Sequence, residues 1–303
     1  MNNKIVIIGC GNVGMSYAYA LLNQRNSVNE LVLIDINEQK ALGEAMDLNH
    51  GLAFAPTNIN IKAGSYSDCK DAAIVVIAAG ANQEKGETRM DLIYKNNKIF
   101  ESIVKNVVAS GFDGIFLIAT NPVDIMTYIT WKHSGFDTSK VIGTGTTLDT
   151  ARLRYEISKE LNINSKNVHA YVIGEHGDSE LVAWSNCTIG LQNIKDFLTD
   201  KQMDIIATNV KNAAYEIIDK KGNTSYGIGI SLVKITNSIL ENTNSILTVS
   251  SYDKNNNVFI GTPTILNRNG VSKKIYIDLT NEEEKLLQNS IDIIKEAIKK
   301  ISD

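Results

Sequence analysis

His176, Asp149 and Arg152 are residue types that together can move a proton and hold an acid. In "TTLDTARLRYEISKEL" Arg152 follows Asp149 by three residues, and a helix starting near Leu148 puts both side chains on one face. His176 stands between glycines in "GEHGD", a loop end of the kind that displays an active side chain. A histidine beside a carboxylate and an arginine supplies a proton donor, its charge partner and an anchor for an anionic substrate. Arg154 lies two residues beyond Arg152, turned away by about 200° at ~100° per residue, so it serves something else. His169 is set apart in the same way. If "VHAYVI" is a strand, positions an odd number apart face opposite sides and the stretch from His169 to His176 spans roughly 23 Å. The two histidines do two jobs.

A second constellation lies at the N-terminus. "GCGNVG" places Gly9, Gly11 and Gly14 in G-x-G-x-x-G spacing, after the apolar run "KIVIIG" and at the opening of a helical pattern. There glycines permit a tight turn, close approach of backbone to a pyrophosphate, and close packing of helix on strand. Asp35 ends the next apolar run, where a carboxylate meets ribose hydroxyls. It also repels a 2′-phosphate, and the following "INEQK" holds no arginine, so NAD is expected over NADP, with Lys40 the one cation nearby.

Two loops complete the candidates. "GANQEKGETRMDL" at 80–92 is polar, contains glycine and carries Gln83 and Arg89; it reads as a mobile lid. "TNPVD" at 120–124 ends a strand and brings the Asn121 amide toward the cofactor.

These residues need a frame to hold them. Apolar runs alternating with helical patterns through "ELVLIDI", "AAIVVIAAG" and "GIFLIATNP" mean βαβ units and a parallel sheet. Leu92, Ile93, Ile99, Phe100, Ile103, Val104, Val107 and Val108 recur near helical period, the stripe of a sheet-covering helix. After about residue 145 come helices at 148–162, 202–221 and 226–242, then strands "SILTVSSY", "NVFIGTPTIL" and "SKKIYIDL". Asn269-Gly270 marks a hairpin turn, and Thr280 with Glu283 a capping box before a last helix with apolar Leu286, Leu287, Ile291, Ile294, Ala297, Ile298 and Ile301. The expectation is an α/β protein, with a doubly wound Rossmann domain over 1–145 and a mixed α+β substrate domain over 146–303.

Composition narrows the function classes. The 303 residues are 43 % hydrophobic and 21 % charged with a net charge of −4, acids and lysines interspersed, which argues against a nucleic-acid partner. "AAIVVIAAGA" is too short to cross a bilayer, and glycines and Asn12 interrupt the N-terminal run before a signal sequence develops, so a cytoplasmic protein without a membrane partner is expected. Cys10, Cys69 and Cys187 lie far apart without metal-ligand spacing; all three read as structural, and no metal is expected.

From Lys4 to Ile301 the chain resembles the lactate/malate dehydrogenase family. The resemblance implies that His176 is the acid/base, Asp149 its partner, Arg152 the fork holding the substrate carboxylate, and Arg89 the lid group that polarises the carbonyl. It implies pocket roles for Asn121 and for Thr224 in "KGNTSYG", and cofactor contacts from Asn12, Val13, Lys40, Tyr66, Gly80, Ala81 and Asn121 beside the glycines and Asp35. Gln83 matches the position where the malate enzymes carry arginine, so a neutral amide implies pyruvate and L-lactate. The proline common in this loop is missing, and "VAWS" and "NTSYG" are also similar to the 2-hydroxyisocaproate dehydrogenases, which keeps larger 2-oxo acids open. Arg154 and His169 match the positions at which the bacterial enzymes regulated by fructose 1,6-bisphosphate hold that effector across a subunit interface, which implies a homo-oligomer, a tetramer in the active state. With its first strand at the start and no counterpart of the N-terminal arm of the vertebrate tetramers before it, a bacterial member is expected. A protein that senses NAD(H) without catalysis is the rival from another class; it needs no His176, Asp149 and Arg152 in register.

Overall fold

Strand β1 (Lys4–Ile8) is buried throughout and divides its side chains between two cores. Ile5 and Ile7 enter one, Val6 and Ile8 the other. Alternation across a sheet covered on both faces is why its strands read as unbroken apolar runs. The computed structural model describes residues 3–81 and 89–302, with the side chains of residues 89 and 302 excluded. The first half continues as α1 (Asn12–Leu22), β2 (Glu30–Ile34), α2 (Glu38–Gly51), β3 (Asn60–Ala63), β4 (Ile74–Ile77), α3 (Arg89–Ala109), β5 (Ile115–Ile118), α4 (Val123–Ser134) and β6 (Val141–Gly143). These strands pair in parallel in the order β6-β5-β4-β1-β2-β3. The expected doubly wound sheet is present, and its order reverses between β1 and β4, where such sheets bind ligands. Neither β3 nor β6 stood out in the sequence. β3 is an edge strand with one fully buried residue, Ile61, and β6 is three residues long.

The second half runs α5 (Thr147–Leu161), β7 (Val168–His169), β8 (Val172–Ile173), β9 (Leu181–Val182), β10 (Thr188–Ile189), β11 (Gln192–Asn193), α6 (Asp200–Lys221), α7 (Tyr226–Leu240), β12 (Ser245–Asp253), β13 (Val258–Asn267), β14 (Gly270–Lys274) and α8 (Asn281–Ser302). It is mixed α+β, as read, yet its long hairpin joins the parallel sheet instead of making another. β12 pairs antiparallel with β13 and meets β6 at Ser250 and Gly143, giving one sheet of nine strands among the described residues. The open edge of β6 is thereby covered. α7 packs beside α1, contributing Leu232, Val233 and Ile235 to the core of Ile5, Ile7 and Leu21. A Cβ at Gly229 would lie 2.8 Å from the Ser16 backbone, so only glycine lets the two helices approach this closely.

Several local expectations need correction. "VHAYVI" is not one strand: β7 pairs with β10, and β8 with β9, in separate small sheets. "SKKIYIDL" stops being a strand at Lys274. Asn267 pairs with Gly270, so the hairpin turns at Arg268 and Asn269, not at Asn269-Gly270; of these three only Gly270 has positive φ, 93°. Leu286 is exposed, while Ile291, Ile294 and Ile298 carry the packing of α8. The capping box is formed: Glu283 accepts from the Thr280 amide at 2.9 Å and Thr280 Oγ1 from the Glu283 amide at 3.3 Å.

Candidate active site

The loop after β8 is tied down before it reaches His176. Gly174 exchanges both backbone hydrogen bonds with Gly261 of β13, at 2.9 and 3.0 Å. The Glu175 amide donates to Ser290 Oγ of α8 at 2.6 Å, and the His176 amide to Asp124 Oδ2 of α4 at 2.8 Å. Asp124 is itself fully buried and accepts from the Ser250 hydroxyl of β12 on its other oxygen. Three elements thus fix three successive backbone positions, with β12 bracing the last of the three acceptors, which leaves the imidazole to be aimed by its own hydrogen bond.

That bond goes to Asp149. Its Oδ2 lies 2.6 Å from His176 Nδ1, and its Oδ1 accepts from Arg152 Nη1 at 2.8 Å. The first two turns of α5 do what the spacing implied, with Asp149 and Arg152 on one face and both cations on opposite oxygens of one carboxylate. Burial pulls the His176 imidazolium toward losing its proton, but the charge and hydrogen bond of Asp149 outweigh it and raise the pKa to about 9. Burial likewise works against the Asp149 carboxylate, yet the His176 and Arg152 charges hold its pKa below the ordinary value. With Nδ1 on Asp149, Nε2 is the nitrogen left to face a substrate. The arrangement can protonate an oxygen, and Arg152 can hold a carboxylate beside it.

The nucleotide turn is built for a phosphate. Gly9 has φ 104°, and a Cβ there would lie 2.5 Å from the Ala79 amide at the end of β4; one at Gly14 would lie 2.1 Å from the Gly9 carbonyl. Gly11 differs, since its Cβ would meet nothing within 4 Å. It is also the N-cap of α1 and offers no side chain to the first-turn amides, so a pyrophosphate has both the space and the donors it needs. Asp35 is half-buried at the end of β2, its Oδ2 accepting from the Cys10 amide at 2.7 Å and its Oδ1 from the Asn37 amide at 2.9 Å. These residues fit a dinucleotide. The Thr120 hydroxyl donates to the Ala79 carbonyl at 2.7 Å, linking this end of the sheet to the turn that carries exposed Asn121 and then Asp124. Gly80 and Ala81 follow β4, and the Ala81 amide donates to Asn96 Oδ1 at 2.8 Å. Asn12 and Val13 open α1, Lys40 is exposed on α2, Tyr66 is half-buried in the turn after β3, and Thr224 is half-buried just before α7. A cavity of about 710 Å³ lies beside Gly11 and Asn12, walled by Tyr19, Lys40, Glu44, Tyr226 and Ile230. His176 and Asp149 take no part in it.

Gln83 lies outside the described residues, as does the side chain of Arg89, whose backbone opens α3. Arg154 does part from Arg152: its guanidinium carbon sits 5.9 Å from the centre of the Tyr171 ring. His169 is exposed on β7 opposite Thr188, away from the imidazole held by Asp149. The three cysteines are free and buried, and burial pushes each thiol up to about 12.

Models of the two domains of the lactate/malate dehydrogenases match the chain, the NAD binding domain over residues 3–143 and the alpha/beta C-terminal domain over 146–303. The chain belongs to the lactate/malate dehydrogenase family. An L-lactate dehydrogenase 2 of Bacillus cereus is 50% identical over 306 aligned residues, covering 98% of this chain and 97% of that protein. A lactate dehydrogenase from a Medee basin deep-sea metagenome library is 50% identical with a TM-score of 0.97, over 100% of this chain and 99% of the other. The minor L-lactate dehydrogenase of Enterococcus mundtii in its ligands-bound form is 46% identical with a TM-score of 0.97, over 99% and 98%. NAD is the cofactor of this family's N-terminal domain, in agreement with the fit of the glycine turn. Among the described residues no helix is long and apolar enough to cross a membrane.

Three residues of this lactate/malate dehydrogenase site escaped the sequence reading. Asp124 sits in the same "TNPVD" stretch as Asn121 with nothing local to mark it, and Ser250 lies inside a strand. Glu180, four residues after His176, has a carboxyl oxygen within 4.8 Å of the ligand atoms of His176 and Asp149. Burial and the Asp149 charge raise its pKa well above the carboxylate range. In the sequence Glu180 is one more polar residue of a loop that already holds Glu175 and Asp178.

Proposed function

We propose that the chain is an L-lactate dehydrogenase that reduces pyruvate to L-lactate with NADH, reversibly, and so regenerates NAD for anaerobic glycolysis in the cytoplasm. The observation that carries this is the single carboxylate of Asp149 shared by His176 and Arg152. NADH, when bound, supplies the hydride. His176 gives the proton from its imidazolium to the carbonyl oxygen, and Asp149 keeps that imidazolium charged and turned toward the substrate. Arg152 pins the substrate carboxylate with a planar fork that lysine cannot reproduce. Arg89 stabilises the charge growing on the oxygen, and Gln83, Asn121 and Thr224 shape the pocket.

The residues assigned to the cofactor are Gly9, Gly11, Asn12, Val13, Gly14, Asp35, Lys40, Tyr66, Gly80, Ala81 and Asn121. Domain limits of 1–145 and 146–303 place all of them in the first half and the proton-transfer residues in the second. The working form is a homo-oligomer, a tetramer when active. Exposed Tyr19, Tyr226 and Ile230 around the 710 Å³ cavity support an interface between copies, since an apolar patch of this kind favours cover. Fructose 1,6-bisphosphate acts at Arg154 and His169, basic side chains whose copies an anion would bridge where subunits meet.

The test is NADH oxidation against a panel of 2-oxo acids, with and without fructose 1,6-bisphosphate, in the parent and in Arg154→Gln/His169→Gln. Pyruvate is expected to lead, with activation lost in the double variant. Preference for branched acids moves the reading to the hydroxyisocaproate type, no oxidation with any acid leaves an NAD(H) sensor, and equal response of parent and variant removes the effector site.

A further inference from the structure

The second carboxyl beside the proton-transfer pair has no part in the mechanism above. Glu180 stands where its oxygen, an Asp149 oxygen and a His176 ring nitrogen are all within 4.8 Å. Both Asp149 oxygens are engaged, one by Arg152 and one by His176. The same three donors resemble a metal ligand set, but the Arg152 guanidinium 2.8 Å from Asp149 opposes a cation there. The alternative is a proton. Two carboxyl groups this close, one buried and the other half-buried, resist ionising together, and Glu180 in its acid form has a proton to offer Asp149.

The charges bearing on Glu180 come from α5, which presents Asp149 and Arg152, and from its own loop, which presents His176. Asp124 of α4 bears on His176 instead. The other acids of the loop are turned to different partners: Glu175 accepts from the Ser179 hydroxyl at 2.6 Å, and Asp178 from the Tyr215 hydroxyl of α6 at 3.0 Å. Glu180 is therefore the acid whose proton count bears most directly on the Asp149–His176 pair. When it is neutral, His176 is left with Asp149 as its main counter-charge; when it is ionised, a further negative charge favours the imidazolium.

We propose that Glu180 is a positioning residue for the proton of His176: it trades its own carboxyl proton against the imidazolium's and so extends the acid form to higher pH. The proposal rests on reading His176 as the acid. As pH rises, the first proton to leave the cluster comes largely from Glu180, and the charge it leaves behind holds the second on His176. The enzyme gains a wider pH range for reduction and yields the neutral imidazole needed for lactate oxidation only later.

The test combines a rate and a direct view of the proton. The pH profile of kcat/KM for pyruvate is measured in the parent, Glu180→Gln and Glu180→Asp, and His176 is titrated by NMR in histidine-labelled full-length protein, its signal assigned with His176→Gln. Glu180→Gln should move the alkaline limb of pyruvate reduction, and the His176 titration, to lower pH by about one unit, or tenfold in proton concentration. Glu180→Asp should move both less. A merely structural role lowers the rate at every pH and leaves the limb in place. If Glu180→Gln does not fold, Glu180→Asp carries the test, since a shorter acid held farther from the pair still shifts the limb in the same direction. A shifted titration without any pyruvate activity supports the coupling while defeating the functional reading; an unshifted titration in a folded variant overturns the proposal.

Discussion

Asp124 holds the backbone of His176 and leaves its ring alone: Oδ2 accepts from the His176 amide at 2.8 Å, while the imidazole answers to Asp149. Burial pushes the Asp124 pKa up to about 6, and bonds from Ser250 and the His176 amide are what keep it from rising further. Asp124→Ala strands a buried amide and a buried hydroxyl, which costs roughly 1–3 kcal/mol for each group left unsatisfied. The expected result is a clear drop in Tm together with a lower kcat. Asp124→Asn still accepts from the amide and can donate to Ser250, so its Tm should stay near the parent's; equal losses in the two variants remove the amide bond from the explanation.

Asp149→Asn should keep the fold and NADH binding and lower pyruvate turnover by about 10²–10⁴-fold, the usual span for disabling a general acid. In the parent, reduction should fade as pH rises through about 9, where the imidazolium is lost, and lactate oxidation should grow over the same range. The variant's limb should sit at lower pH. Stability follows the same groups. The raised pKa of His176 contributes below its ordinary 6.5 and is lost as pH climbs through about 9, whereas the lowered pKa of Asp149 contributes above 3.8 and is lost on acidification. Denaturant titrations across pH check both signs.

Gly11→Ala separates binding from folding. Its added methyl meets no protein atom within 4 Å, so Tm should hardly change, but it occupies the space assigned to the pyrophosphate. NADH affinity, read by fluorescence titration, should fall at least tenfold, about 1.4 kcal/mol. Unchanged affinity would place the dinucleotide elsewhere.

Gln83→Arg should shift preference from pyruvate toward oxaloacetate, because a guanidinium pairs a second carboxylate that an amide cannot. The ratio of kcat/KM for the two acids is the measurement. A ratio that does not move takes Gln83 out of the pocket.

Legibility in the sequence followed the range of the contacts involved. The glycine turn, Asp35 and the Asp149–Arg152 pair were readable because each depends on residues within one turn or one βαβ unit. Asp124 was not, because its role comes from Ser250, 126 positions later, and from a loop 52 positions later. Glu180 looked like an ordinary polar loop residue until folding brought α5 against it. The same holds for architecture: two-sided apolar strands announced the parallel sheet, but nothing local announced that β12 would complete it, or that the strand read at "VHAYVI" would divide between two partners.

The core shared by α1, α7 and β1 bears on how the molecule comes apart. Two matched domains suggest two melting events, one for each. Yet the helix that closes the nucleotide half is lent by the other half, and the sheet passes from one to the other without a break. Heat should therefore undo the chain in one cooperative step, and a cofactor held only by the first half should raise the melting temperature of the second as well.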